Sequence, residues 1–193
     1  MRMRPCGLIL ATLLVALGSV APLARAADDY DMDPMHSSVY FKISHLGLSW
    51  VYGRFNTFSG SFTIDPDDAG KSSFTLSIKP ESVDTNNKKR DGHLRTPDFF
   101  DVKQFPTLEF KSTAVKAIDG GYDVTGDLTM HGATKQITFS LKGGGKAEFP
   151  KGFSRTGYST DLTLKRSEFG MDKMLPALGD EVKVAISFEG VKK

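Results

Sequence analysis

The sequence predicts an all-β fold, an antiparallel barrel of roughly eight strands, on three observations. Apolar and polar residues alternate in short runs, the period-two signature of strands buried on one face. Gly, Asp, Asn or Pro breaks these runs at intervals of roughly 10 to 15 residues, which suits tight turns rather than helical crossovers. Closing such a meander removes its exposed edges, and about eight strands leave an interior that is either filled by side chains or able to hold one small ligand.

At the N-terminus, MRMRPCGLILATLLVALGSVAPLARA places Arg2 and Arg4 ahead of an apolar run from Gly7 to Leu17 and ends on the small-x-small pattern Ala24-Arg25-Ala26. Residues 1–26 read as a secretory signal peptide, because the run is too short to cross a bilayer. Residues 27–193 then form one exported domain. Cys6, the only cysteine, lies in the leader, so the exported chain has no disulfide and no thiolate, which fits a bacterial periplasm. Loss of Arg2, Arg4 and Arg25 lowers Lys plus Arg from 25 to 22 against 23 acids, and the formal charge from +2 to −1. That balance removes the electrostatic case for nucleic-acid binding.

SVYFKISH (38–45) sets Val39, Phe41 and Ile43 against Ser38, Tyr40 and Lys42. GRFNTFSGSFTID (53–65) carries Phe55, Phe58, Phe62 and Ile64 on what reads as one strand, with Gly60 at a bend or bulge. SSFTLSIKPESVD gives Phe74, Leu76 and Ile78 before Pro80 limits ladder pairing. TLEFKSTAVKAI, GGYDVTGDLTMHG, KQITFSLKGG, FSRTGYSTDLTLKR and EVKVAISFEG continue the pattern, with Gly120-Gly121 and Gly132 as hairpin punctuation.

Three segments do not alternate and are the places where the barrel would be capped. HLGLSWVYG (45–53) predicts a turn or short helix. TNNKKRDGHLRTPDFFDVKQFP (85–106) is polar and then aromatic. RSEFGMDKMLPALGDE (166–181) spaces Met171, Met174, Leu175 and Leu178 for one face of a short helix that Pro176 interrupts.

Asp91 and His93, with Asp98 and Asp101 close behind, invite a hydrolase reading in which a histidine acts as general base oriented by a carboxylate. A nucleophile is missing, since no G-x-S-x-G elbow occurs in the chain. The simpler role for His93 is a polar tie between the long loop and the barrel rim. His36, His45, His93 and His131 are scattered, without His-x-x-x-His spacing or cysteine ligands, so no metal is expected and His131 reads as a turn residue. Fourteen Phe, one Trp and five Tyr exceed what a single thin core needs. Phe41, Phe55, Phe58, Phe99, Phe100 and Phe105, with the soft side chains of Met171 and Met174, either fill the barrel or line a cavity within it.

Four blocks in order, DPMHSSVYFKISHLGLSWVYGRFNTFSG, RDGHLRTPDFFDVKQFPTLEFKST, YDVTGDLTMHGATKQITF and DLTLKRSEFGM with LGDEVKVAISFEG, resemble the YceI-like family of bacterial polyisoprenoid-binding, lipocalin-like exported proteins across essentially the whole mature chain. The resemblance implies an elongated lipocalin-like barrel with short capping helices and a long apolar pocket. It implies a bound lipid, such as an isoprenoid pyrophosphate, an isoprenoid quinone or a fatty-acid derivative, with no other cofactor and no catalysis. Carried onto the matching positions, it places Phe41, Ile43, Trp50, Phe55 and Phe58 along the tunnel or its mouth. Leu94, Phe99, Phe100 and Phe105 then come from the long loop, and Phe169, Met171, Met174 and Leu175 from the late segment, with His45, Arg90 and His93 at the polar end. Each buried methylene contributes about 0.8 kcal/mol, so a long chain supplies affinity with little directional chemistry.

The leading expectation is a non-catalytic periplasmic carrier, store or scavenger of an elongated amphiphile, a monomer or homodimer that exchanges lipid in transient contact with a membrane. The alternative is a small periplasmic hydrolase or isomerase acting on a lipid through Asp91 and His93. A third reading, a stress or interaction protein that binds a partner on its barrel surface, finds no distinctive exposed patch in the sequence.

Overall fold

The computed structural model describes residues 25–193, so the expected leader lies almost wholly outside the described residues. In chain order these residues form β1 (Asp28–His45), β2 (Ser49–Phe55), β3 (Phe58–Ile64), β4 (Ser73–Ile78), β5 (Val83–Asp84), α1 (Lys88–Leu94), β6 (Leu108–Ile118), β7 (Gly121–Met130), β8 (Ala133–Glu148), β9 (Ser154–Lys165) and β10 (Leu178–Lys192). Single turns of 3-10 helix occur at Ala69–Lys71, Pro80–Ser82 and Arg166–Phe169. The antiparallel ring runs β1, β3, β4, β6, β7, β8, β9, β10 and back to β1, which closes an eight-stranded barrel. β2 and β5 lie outside that ring, β2 on the second half of β1 and β5 on the end of β2.

A bulge lets β1 serve three partners. Asp28–Asp31 pairs with β3, and Val39–His45 pairs with β2. β10 follows the other edge of β1 on both sides of a register shift between Asp33 and Ser38. Extra residues on one strand of a pair bend it and raise its twist, as closure of the ring requires. Asp33 pins the bulge: its carboxylate accepts from Arg155 Nη1 at 2.6 Å and from the Met35 amide at 3.0 Å, and its carbonyl accepts from Ser37 Oγ at 2.6 Å. The hydrogen bonds from Arg155 and then His36 hold the Asp33 carboxyl down at about 2.

Several local expectations change. Residues 45–53 form no helix: Leu46 and Gly47 make a tight turn at φ of 54° and 67°, and β2 begins at Ser49. The stretch 53–65 is two strands, because Asn56 and Thr57 leave the ladder to bond Ser82 through their amides. Gly60 is no bend. It sits within β3, where an added Cβ would meet the Thr75 carbonyl at 2.5 Å and the Met32 methyl at 2.9 Å. Met171, Met174, Leu175 and Leu178 share no helix: the 3-10 turn stops at Gly170 in the left-handed region, and β10 starts at Leu178. His131 is the turn residue expected, at φ 51° followed by Gly132 at 77°.

Inward-facing residues fall into two buried clusters at opposite ends of the barrel. One joins Tyr30, Phe62, Phe74, Tyr158 and Phe188 with Val115, Val124 and Leu141. Its rings form a floor: Tyr30 stacks on Phe62 at 4.9 Å and 11°, Phe62 on Phe74 at 5.7 Å, and Tyr158 meets Phe62 edge-on at 5.9 Å. Burial, and then the neighbouring Tyr122, pushes the Tyr158 phenol up to about 12. The other cluster joins Val39, Phe55, Ile78, Val83, Leu108, Met130, Phe169 and Met171.

The Phe62 ring lies directly over Gly190, where no Cβ fits. Gly190→Val should therefore lower stability by about 1–3 kcal/mol, read as a lower urea midpoint at unchanged slope. Asp33 ionises below its unfolded value of 3.8, so its contribution is complete above that pH and is lost as pH falls toward about 2. Asp33→Asn should reduce stability at neutral pH and flatten the stability profile across that acid window. An unchanged acid limb would show that the tie does not hold the bulge.

Candidate functional site

A cavity of about 580 Å³ runs between the two clusters. Strand alternation builds its wall: β9 contributes Thr160, Leu162, Leu164 and then Arg166 just beyond its end, and β10 contributes Val182, Val184, Ile186 and Phe188. Leu76 and Ile78, Phe110, Leu128, Ile137 and Phe139 close the other side, and Phe62, Phe74 and Phe188 form the bottom. From Thr160 to Arg166 the wall extends roughly 20 Å along the strand. A volume of this size falls within the range of small-molecule sites, and its lining is almost wholly hydrocarbon.

The mouth is made by α1, the loop behind it and the segment after β9. A seven-residue helix does not stand alone in water, so its ties decide its position. Asn87 caps it by accepting from the Arg90 amide at 3.0 Å. Asp91 is buried and accepts from the Thr85 amide at 2.9 Å and from the Thr85 hydroxyl, and Arg90 donates to Thr85 Oγ1 and to the Thr85 carbonyl, each at 2.7 Å. Arg95 ties the helix end to the Glu81 and Val83 carbonyls at 2.7 and 3.0 Å. Phe99 and Phe100 then turn onto the cavity, Phe100 edge-on to Phe55 at 5.6 Å.

Asp91 and His93 do not form a pair. Asp91 is committed to Thr85, whereas His93 Nε2 lies 2.8 Å from Asp98 Oδ2 on the surface, with Lys173 Nζ 3.3 Å from the other oxygen of Asp98. These partners, His93 first and then Lys173, lower the Asp98 pKa. The pairing of Asp91 with His93 is therefore absent, because a helical step of two turns the side chains to different sides, and the carboxylate that orients His93 is Asp98.

Lys89 and Arg90 bring positive charge to the mouth, and Glu109 brings a carboxylate to the cavity lining. Lys89, Arg90, His93 and His45 line the mouth beside the polar Thr85 and Asn87, and Lys89 makes no ion pair among the described residues. Arg166 is only 4% exposed; its guanidinium donates to the carbonyls of Gly179, Met171 and Leu178 at 2.9, 2.6 and 3.0 Å. Burial lowers its pKa, partly offset by Asp180 and Asp172. It is a buried cation held by carbonyl oxygens, facing an apolar chamber.

Of the residues expected at the site, Phe41, Ile43, His45, Phe55, Arg90, His93, Leu94, Phe99, Phe100, Met171 and Met174 line the cavity. The structure places Trp50, Phe58, Phe105, Phe169 and Leu175 off it. Trp50 points outward from the barrel because it precedes Val51, an inward residue, by one step of the pleat. Phe58 and Phe169 pack in the upper cluster. Phe105 lies edge-on against His131 at 4.9 Å, over Gly132. Leu175 is exposed. Sequence reasoning missed Lys89, Asn87, Thr160, Leu162, Leu164 and Arg166. The alternation Thr160, Leu162, Leu164, Arg166 was visible and marks a cation at the end of an inward-facing run.

Comparison with known proteins covers the same span. The family model for the YceI-like domain matches residues 30–190. A UPF0312 protein of Pseudomonas aeruginosa is 42% identical over 183 residues, covering 93% of this chain and 96% of its own. Protein YceI of Escherichia coli is 39% identical over 188 residues, covering 97% and 96%. Among solved structures, the Campylobacter jejuni YceI protein aligns with TM-score 0.70 at 32% identity, covering 78% of this chain and 90% of its own. A polyisoprenoid binding domain from Saccharophagus degradans shares the fold, with TM-score 0.65 at 19% identity over 85% of this chain and 98% of its own.

Asp91→Ala should cost about 1–3 kcal/mol, because it strands the buried Thr85 donors. His93→Ala should cost under about 1 kcal/mol, since its partner is solvent-exposed. Thermal melts of the two variants distinguish these anchoring roles; equal losses would contradict them.

Proposed function

The chain belongs to the YceI-like family, and we propose that it is an exported, non-catalytic protein that holds one elongated amphiphile in its barrel, as carrier, store or scavenger. The observation that carries this reading is a long hydrocarbon-lined cavity with an aromatic floor and a cationic rim. Ten buried methylenes would supply about 8 kcal/mol, enough for micromolar binding before the cost of association is subtracted. The polar head then sits at the rim, near Lys89, Arg90 and His93, with Arg166 supplying a positive field from within the wall. An isoprenoid diphosphate suits this charge best, because its tail matches the chamber and its anion matches the rim. The name of the Saccharophagus degradans domain points to the same class of lipid. A periplasmic setting follows from the leader expected at residues 1–26.

Titration with an isoprenyl diphosphate and with a neutral quinone carrying a tail of the same length tests the reading. Leu164→Trp, which fills the middle of the chamber, should weaken both ligands at least about tenfold while leaving the circular dichroism spectrum unchanged. Lys89→Glu should weaken the diphosphate about tenfold and the quinone little. Unchanged binding in Leu164→Trp would place the ligand elsewhere.

A further inference from the structure

Folding assembles an exposed apolar rim that the sequence does not reveal. Leu46, Leu48, Met174 and Leu175 are 56%, 83%, 47% and 39% exposed. Their two segments are stitched together, because the Leu46 amide donates to the Ala177 carbonyl at 2.7 Å and His45 pairs with Leu178. His45 and Met174 both line the cavity, so this patch is the edge of its mouth.

The local backbone makes the apolar choice a poor one for folding alone. Leu46 and Gly47 occupy the two central positions of a hairpin turn with positive φ, 54° and 67°. Asn, Asp or Gly favours the first of these positions, whereas a leucine there is strained and remains exposed. Met174 is also held at positive φ, 65°. On the outward face of the same hairpin, the amines of Lys42 and Lys183 each lie 5.1 Å from the Trp50 ring, with exposed Tyr52 also within reach of Lys42. Among the described residues neither lysine forms a salt bridge, although Glu181 shares the outward face of β10 with Lys183.

We propose that this rim is a membrane-docking surface that seats the cavity mouth on a bilayer bearing anionic head groups, a proposal that rests on the amphiphile-binding reading. Leucine and methionine enter the acyl boundary, the tryptophan and tyrosine lie at head-group depth, and the lysines meet the anionic surface. Docking mouth-down lets an amphiphile pass between bilayer and barrel without crossing water.

Co-sedimentation of the purified protein with phosphatidylethanolamine–phosphatidylglycerol vesicles, against phosphatidylcholine vesicles, tests the proposal. Trp50, the only tryptophan, reports from the patch itself. The wild type should bind the anionic vesicles with a blue shift of its emission. The double variant Leu46→Asn, Leu48→Thr should melt no lower than wild type, still take up a fluorescent polyene fatty acid in solution, and bind vesicles at least about tenfold more weakly. Lys42→Gln with Lys183→Gln should weaken anionic binding roughly thirty-fold. Phe149→Ser, an exposed change at the closed end, should alter nothing. A wild type that takes up the fatty acid but ignores vesicles overturns the docking surface alone, as does undiminished vesicle binding by the leucine variant. Absence of fatty-acid uptake by the wild type would overturn the cavity reading as well.

Discussion

An eight-stranded ring encloses a fixed space, and what its inward side chains do with that space decides everything else about this protein. At the closed end, rings from Tyr30, Phe62, Phe74, Tyr158 and Phe188 fill it. At mid-height the wall is leucine, isoleucine and valine with Phe110 and Phe139, whose side chains do not meet across the axis, and the cavity of about 580 Å³ is what remains. The fold therefore depends on an aromatic floor that supplies the packing the middle forgoes. The close seat of Phe62 on Gly190 belongs to that arrangement, since any larger residue at 190 would displace the central ring.

The open end meets the opposite demand. It must expose a hole without unravelling, so its polar residues are largely committed to one another. Asp91, Arg90 and Thr85 lock α1 onto the end of β5, and Arg95 adds two carbonyl contacts. Arg166 spends three donors on the carbonyls of the segment that follows it. Residues that first suggest chemistry are thus fastenings, and the cationic rim is partly a by-product of how the lid is held. Lys89, unpaired among the described residues, is the side chain at the mouth most free to answer a ligand.

Period two made much of this legible. It identified Phe41 with Ile43, and Phe74 with Leu76 and Ile78, as sharing inward faces, and those residues line the cavity. It failed where the chain changes partner. Asn56 and Thr57 leave the ladder to bond Ser82, a long-range contact that no local pattern announces. Trp50 stands off the cavity, against what the resemblance implies; with β2 starting at Ser49, alternation with Val51 turns it outward. The helical spacing of Met171, Met174 and Leu175 misled for another reason. Gly170 and Pro176 break the segment, and carbonyl contacts to Arg166 hold it as irregular chain, which places Met171 and Met174 on the cavity and leaves Leu175 outside.

Native mass spectrometry of the protein purified from its own host, without detergent, measures the central claim most directly. An open hydrocarbon chamber in a cell full of amphiphiles should yield a species one lipid heavier than the chain, at a stoichiometry near one, lost on organic extraction and absent from Leu164→Trp. A single apo mass, with no saturable uptake of any long-chain amphiphile afterward, would contradict it.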